Sequence, residues 1–466
     1  MEGVDTSGFD KIGIPPGSVE TEWIDNNDIT DDVTKIEDEP PAEAKNEVPP
    51  SHVTVNTYLG KVKGLKNMLD SGDGFIYSFL GVPYAQPPTG NKRFKPPLPV
   101  TAYGEHEAFG FRNECPQVKA YGDRAFEFQG DEDCLYLNIF SPSLTKNAAA
   151  LKPVMVFFHG GAFTMGAGNE YIPVEMAIKD VVVVTVNYRL SALGFMTFGN
   201  DIVSGNMGLR DQLESLRWVK RFINNFGGDP DKVTIFGQSS GAMMVHALQL
   251  SPKAQGLFKY AIAQSGNMLM RRVKAEISDE KRIAKNIAEK FECPSNYDHE
   301  MLECLQKLPV QKLIQDAGYA APNIHADIKE RERGPWFPVV DAFSTDPILP
   351  LDPLEAMKTG KFNKVPFISG TMANDGAIQV ASILGPNPEK EKVWKSMAAQ
   401  LLMLSQSANV SETKYEDVMA ASIVTQFYTN EVYDFDKNGR AWIQMMTDAL
   451  FLSPDQKVKE YLITNL

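Results

Sequence analysis

The chain has 466 residues, 43% of them hydrophobic, which is enough for one large α/β core or two ordinary ones. Its net charge of −14 sits at one end, because residues 1–50 hold 14 acidic residues against 3 lysines and the remainder nearly balances. No basic stripe or aromatic–basic interleaving points to a nucleic-acid partner, and the longest apolar runs, such as Val181 to Val186, are strand-sized and too short to span a bilayer.

Residues 1–50, rich in Asp, Glu and Pro, bury too little apolar surface to offset the entropy of ordering and read as an acidic disordered leader. The opening MEGVDTSGFDK has neither the basic nor the apolar region of a secretory signal. Residues 51–466 read as the folded domain. VTVNTYLGKVKG forms a β-hairpin and FIYSFLGVPYAQPP a strand closed by prolines, both antiparallel elements ahead of a parallel sheet. GDEDCLYLNIFSP is an acidic turn feeding the strand Leu135 to Phe140. The continuously apolar strand Val154 to Phe158 ends in His159-Gly160-Gly161-Ala162-Phe163, and a further strand covers Val181 to Asn187. Leu209, Leu213, Leu216, Val219, Phe222 and Ile223 recur at helical spacing, and Gly227 and Gly228 end that helix. Next comes VTIFGQSSGAMMVH, a strand, tight turn and helix. A strand over Tyr260 to Gly266, a helical region from about Asp279 to Ile314, a strand and loop over Val365 to Gly376, and helices from Trp442 and Ser453 complete the pattern. The last helix reaches Leu466 uncapped, as if the chain stopped inside an element. Apolar, β-branched strands separated by helices define an α/β class with a sheet covered on both faces.

Gly237, Ser239 and Gly241 form a Gly-x-Ser-x-Gly turn between a buried strand and a helix, the setting that pushes a serine into a strained, exposed position. Acyl transfer needs such a nucleophile, N–H donors for an oxyanion, a base, and an acid to orient the base. The HGGAF loop offers backbone donors, and Asp375 follows Ser239 in the required order, although Asn374-Asp375-Gly376 also reads as a surface turn. The histidines are 52, 106, 159, 246, 299 and 325. Seven helical steps put His246 about 10 Å from Ser239 along the axis, too far to take its proton. His159 reads as a structural hydrogen-bonder at its strand end, His299 falls inside the second cysteine pair, and His325 is left as the substitute base. Cys115 with Cys134, and Cys293 with Cys304, would close moderate loops as in exported proteins, while four free thiols are the cytosolic alternative. Asn409-Val410-Ser411 is a glycosylation sequon.

FLGVPYAQPPTGNKRFKPP, GDEDCLYLNIF, HGGAF, NYRLSALGF, GNMGLRDQLESLRWVKRFINNFGGDPDKVTIFGQSSGA and GTMANDG together resemble the type-B carboxylesterase and cholinesterase family of the α/β-hydrolase fold, over about residues 53–466. Gln238, Arg93-Phe94 and Asp211-Gln212 look like insect-type esterases, including juvenile hormone esterases. The resemblance implies a large, mostly parallel central sheet, Ser239 as acyl-forming nucleophile, and an oxyanion hole from the N–H groups of Gly161, Ala162 and Ser240, shaped by Gly160. It implies Cys115–Cys134 and Cys293–Cys304 disulfides, Asp375 in place of the family's usual Glu, a small-molecule ester as substrate, no cofactor or metal, and a secreted protein. The family's histidine lies in a Gly-x-x-His-x-x-Asp/Glu stretch nearer the C-terminus, which is absent from these residues. The expectation is a serine ester hydrolase without its base, last strands and last helices, impaired in turnover and with an exposed sheet edge. The alternative is a non-catalytic interaction or decoy protein on the esterase fold.

Overall fold

A computed structural model describes residues 51–69, 74–119, 127–270, 277–317, 336–377, 428 and 435–465, without the side chains of 435–439. The leader expected over residues 1–50, His325 and Asn409 lie outside the described residues. The described strands are β1 (Ser51–Thr57), β2 (Gly60–Met68), β3 (Phe75–Pro83), β4 (Gly104–Glu107), β5 (Gln117–Lys119), β6 (Glu127–Gln129), β7 (Tyr136–Ser141), β8 (Lys152–Phe158), β9 (Val182–Val186), β10 (Gly228–Gln238), β11 (Tyr260–Gln264) and β12 (Phe367–Gly370). The described helices are α1 (Val174–Ala177), α2 (Ser191–Phe195), α3 (Met207–Phe222), α4 (Ser240–Leu250), α5 (Ile277–Lys290), α6 (Asp298–Lys307), α7 (Val310–Ala317), α8 (Pro353–Lys358), α9 (Phe435–Thr447) and α10 (Ser453–Asn465).

The main sheet runs β1-β2-β3-β7-β9-β8-β10-β11-β12, with β4 beside β2, while β5 and β6 form a separate hairpin. It is mixed: the pairs from β1 to β9 along this order are antiparallel, and those from β9 through β8, β10 and β11 to β12 are parallel. The parallel half carries the elbow. Its strands are apolar on successive residues because both faces are covered: Val154, Val156 and Phe158 of β8 join the large core, whereas Phe157 joins a smaller cluster with Phe140, Val183 and Phe236 on the opposite face. Each such fully buried side chain contributes roughly 1.5–3 kcal/mol relative to exposure. β12 is the outermost strand of this order, and its Ile368 is 65% exposed.

Three details differ from the sequence reading. The helical region near Asp279 is three helices, broken around Pro294 and Pro309, where Glu292 takes a positive φ of 57° and the Cys293–Cys304 disulfide closes the turn. β10 starts at Gly228, five residues before the apolar run, since Gly228 already pairs with Lys152. The element expected from Trp442 to Leu452 divides, with α9 ending at Thr447 and a π-helical turn over Asp448–Leu452 leading straight into α10.

Two buried arginines tie the excursions to the core. Arg93 makes a bidentate pair with Glu132 at 2.7 and 2.6 Å and also donates to the Leu305 and Leu308 carbonyls, so it ties the first disulfide loop to the C-terminal end of α6, just past Cys304. Arg189, after β9, grips Asp211 of α3 through Nε and Nη2 at 2.8 and 2.6 Å. Among the described residues no helix is long and apolar enough to cross a membrane.

Candidate active site

β10 ends at Gln238 and α4 begins at Ser240, which leaves Ser239 alone in the turn with φ 56° and ψ −124°. A serine held there costs about 1–3 kcal/mol of backbone strain, so the surrounding structure has to fix it. It does so through the main chain: Ser239 N donates to Gln264 O at the end of β11, and Ser239 O accepts from Met243 N of α4. The glycines give the turn room. A Cβ at Gly241 would overlap the Phe158 carbonyl oxygen, and one at Gly237 would stand 2.6 Å from the Gly241 carbonyl carbon. Only residues without side chains let helix, β8 and β10 meet this closely. Ser239 itself is half-exposed.

The HGGAF loop leaves β8 and folds back beside the elbow. A Cβ at Gly160 would lie 3.2 Å from that of Ser239, so the loop touches the turn directly. Gly161, Ala162 and Phe163 all have positive φ, at 112°, 54° and 63°. The Gly161 carbonyl accepts the N–H groups of Thr164 and Met165, and the Phe163 carbonyl accepts that of Ser191. Phe163 packs against Phe195 and Phe337 with ring centroids 5.2 and 5.4 Å apart. The N–H groups of Gly161, Ala162 and Ser240 donate to no described residue. These are the three donors expected for an oxyanion, and the elbow's helix N-terminus adds its dipole.

The histidines serve other roles. His159 Nδ1 lies 2.8 Å from Gly160 O, and since a carbonyl only accepts, Nδ1 carries the proton. Its ring stacks on Tyr188 at 4.3 Å, and burial pushes its pKa down to about 4. His246 is wholly buried in α4, where Nδ1 accepts from Met268 N at 3.0 Å and burial lowers its pKa to about 3. His106 Nε2 is 2.8 Å from Gly81 O, and His52 stacks on Phe109, both in the part of the sheet remote from β10. His299 is exposed on α6. Among the described residues, therefore, no imidazole bonds to Ser239 Oγ.

Asp375 lies in the turn after β12, at the same carboxyl edge of the parallel strands as Ser239. Its Oδ2 accepts from Met372 N at 2.8 Å, which makes it a turn-forming residue here. The next residue, Gly376, docks on α9 by donating to Thr447 Oγ1. The cysteines pair as Cys115–Cys134 and Cys293–Cys304, which sets aside the free-thiol alternative. Among the described residues no group of three or more His, Cys, Asp or Glu could hold a metal ion. One neighbour escaped the sequence reading. Gln117, buried in the first disulfide loop, bonds the backbone of Gly166 just beyond the glycine loop, and no motif or periodicity marks it.

A serine elbow on the carboxyl edge of a parallel sheet, with a glycine loop from the adjacent strand, is the arrangement of an α/β-hydrolase fold. The sequence profile of the carboxylesterase family matches residues 51–463, and the chain belongs to that family. It is 37% identical over 366 residues to a carboxylic ester hydrolase of Bombus ignitus, covering 77% of this chain and 64% of the relative. It is 34% identical over 378 residues to a juvenile hormone esterase of Tribolium castaneum, covering 78% and 62%. Over a shorter stretch of 199 residues, 41% of this chain and 27% of the relative, it is 46% identical to the neuroligin-like protein glit-1 of Caenorhabditis elegans. The chain thus spans less than two thirds of the length of these relatives.

Proposed function

We propose that the protein is a serine carboxylic ester hydrolase in which Ser239 Oγ attacks the ester carbonyl carbon. The observation that carries this reading is the strained Ser239, with Gly160 packed against it and, in the adjoining loop and turn, the N–H groups of Gly161, Ala162 and Ser240, which donate to no described residue. The serine proton passes to a base, the carbonyl oxygen becomes an oxyanion held by the three donors, and the alcohol leaves with the proton. Water then hydrolyses the acyl-Ser239 ester and frees the acid. Loss of a single oxyanion donor typically costs 10²- to 10³-fold in turnover, so these N–H groups are an essential part of the site.

Asp375 is assigned as the acid that orients the base. No described histidine is placed to take the Ser239 proton, so these 466 residues work slowly unless His325 does so. Loss of the base from a serine triad leaves on the order of 10³-fold acceleration over water, from the oxyanion hole and binding. The two disulfides fit a secreted protein, because they persist in an oxidising compartment, and Asn409 is then its glycan acceptor. The test is hydrolysis of p-nitrophenyl acetate and labelling by a fluorophosphonate, compared for the chain, Ser239→Ala and His325→Ala. Slow turnover that Ser239→Ala abolishes and His325→Ala leaves unchanged supports the reading. Turnover above 1 s⁻¹, of the order of an ordinary enzyme, that His325→Ala removes would promote His325 to base. No labelling of Ser239 at all would favour a non-catalytic interaction protein, the reading to which the local similarity to a neuroligin-like protein lends weight.

A further inference from the structure

Gln117 opens β5, two residues after Cys115, inside the loop that the Cys115–Cys134 disulfide closes. Its side chain is 0% exposed. Nε2 donates to Gly166 O at 3.0 Å and to Cys115 O at 3.1 Å, with a longer approach of 3.4 Å to Glu114 Oε2, while Oε1 accepts from Gly166 N at 2.8 Å. Pairing with both the N–H and the C=O of one residue fixes which end of the amide is which. Gly166 has φ 106°, and a Cβ on it would stand 2.5 Å from His159 Nδ1 and 2.6 Å from Gly160 O. The backbone that Gln117 grips therefore lies directly behind the His159–Gly160 hydrogen bond.

A trans peptide unit points its C=O and N–H in opposite directions. The Gly160 carbonyl, held on the His159 and Gly166 side, turns the Gly161 N–H of the same peptide unit away from them. The Gly161 carbonyl is fixed in turn by Thr164 and Met165 N–H at 3.0 Å each. Behind His159, the ring stacks on Tyr188, whose hydroxyl donates to His159 O at 2.7 Å. We propose that Gln117 is a positioning residue for the oxyanion loop: anchored by the Cys115–Cys134 loop, it holds Gly166 against the His159–Gly160 pair and so sets the direction of the Gly161 N–H. The inference rests on the acyl-transfer reading above and adds to it a residue 49 positions from Gly166, delivered by a disulfide loop.

The test compares wild type, Gln117→Leu and Gln117→Glu by hydrogen–deuterium exchange and by p-nitrophenyl acetate kinetics. The informative amides are those of Thr164 and Met165, which do not touch Gln117. The expected result is exchange about tenfold faster there with β9 unchanged, and a fall in kcat of about tenfold or more with KM within about twofold. A purely structural role would raise exchange in β9 and across the fold as well, with no kcat-specific loss. Unchanged exchange at Thr164 and Met165 in a folded variant, or an unchanged kcat, overturns the proposal. If wild type hydrolyses no ester, the acyl-transfer reading falls and the exchange measurement alone decides whether Gln117 braces the loop. Should the Leu and Glu variants fail to fold, Gln117→Asn, which keeps the amide but is one methylene too short to reach Gly166, takes the same measurements.

Discussion

Gly241 lies so close to Phe158 that a Cβ on the glycine would overlap the Phe158 carbonyl oxygen, with the His159 carbonyl oxygen 2.6 Å away. Both obstacles are backbone, which cannot swing aside as a side chain can. Gly241→Ala should therefore push α4 off β8 and lower stability by about 1–3 kcal/mol, the usual cost of overpacking. The urea midpoint measures this. The same shift moves Ser240 N–H, so ester turnover should fall more than the loss of folded protein explains. A variant with wild-type midpoint and turnover would show that the elbow is looser than its glycine spacing requires.

Asp211 is 0% exposed and takes three donors from one residue, Arg189 N, Nε and Nη2. Asp211→Ala strands the Arg189 guanidinium, which is 2% exposed, without its counter-charge. Removing one partner of a buried pair costs about 3–5 kcal/mol, a large part of the stability of most domains. Little folded protein is expected at 37 °C. Arg189→Met with Asp211→Leu, which removes both charges, should recover much of the loss, and thermal unfolding of the single and double variants distinguishes the two cases.

Burial holds His159 near 4 and His246 near 3, against 6.5 in the unfolded chain. Below pH 6.5 the unfolded chain binds protons that the folded protein excludes. Stability is thus complete above pH 6.5 and falls as pH drops toward 4, by up to about 1.4 kcal/mol per unit for each histidine. His246→Asn keeps an acceptor for Met268 N–H and removes one of the two sites. Urea unfolding at pH 7, 5.5 and 4.5 should then show a shallower acid limb than wild type, and an equal slope would count against His246 as a source of acid sensitivity.

The Cys293–Cys304 disulfide closes a short loop with a sequence separation of 11. Replacing both cysteines with serine should cost about 2–3 kcal/mol by the chain-entropy account. The effect should centre on α6, because Leu305 and Leu308, whose carbonyls Arg93 binds, lie just past Cys304. Calorimetry of the double variant measures the loss, and hydrogen exchange locates it. Equal destabilisation of β8 and β10 would mean that the loop supports the whole domain.

Much of this was legible in the chain itself, for reasons that differ by element. The elbow was readable because its requirements are local: Gly237 and Gly241 stand two residues either side of Ser239, and the clashes they avoid are built into that spacing. The glycine loop was readable for the same reason. α3 was only half readable. Its apolar stripe gave the core face, but Arg210, Asp211, Gln212, Glu214 and Ser215 on the remaining faces are buried too. Partners distant in sequence make that possible: Arg210 reaches Asp341 at 3.1 Å, and Asp211 holds Arg189. No helical periodicity encodes a partner 131 residues away.

Sequence alone thus determined the α/β class, the strand–turn–helix around Ser239, the glycine loop after β8 and the family, since each depends on short runs whose steric or apolar pattern is complete within itself. Only the tertiary structure decided what surrounds them. It placed Gly160 against Ser239, spent His246 on the Met268 N–H and His159 on the Gly160 carbonyl, and brought Gln117 to Gly166 through a disulfide loop. Those contacts join segments far apart in the chain, and what fixes them is the closure of the sheet and the need of each buried polar group for a partner.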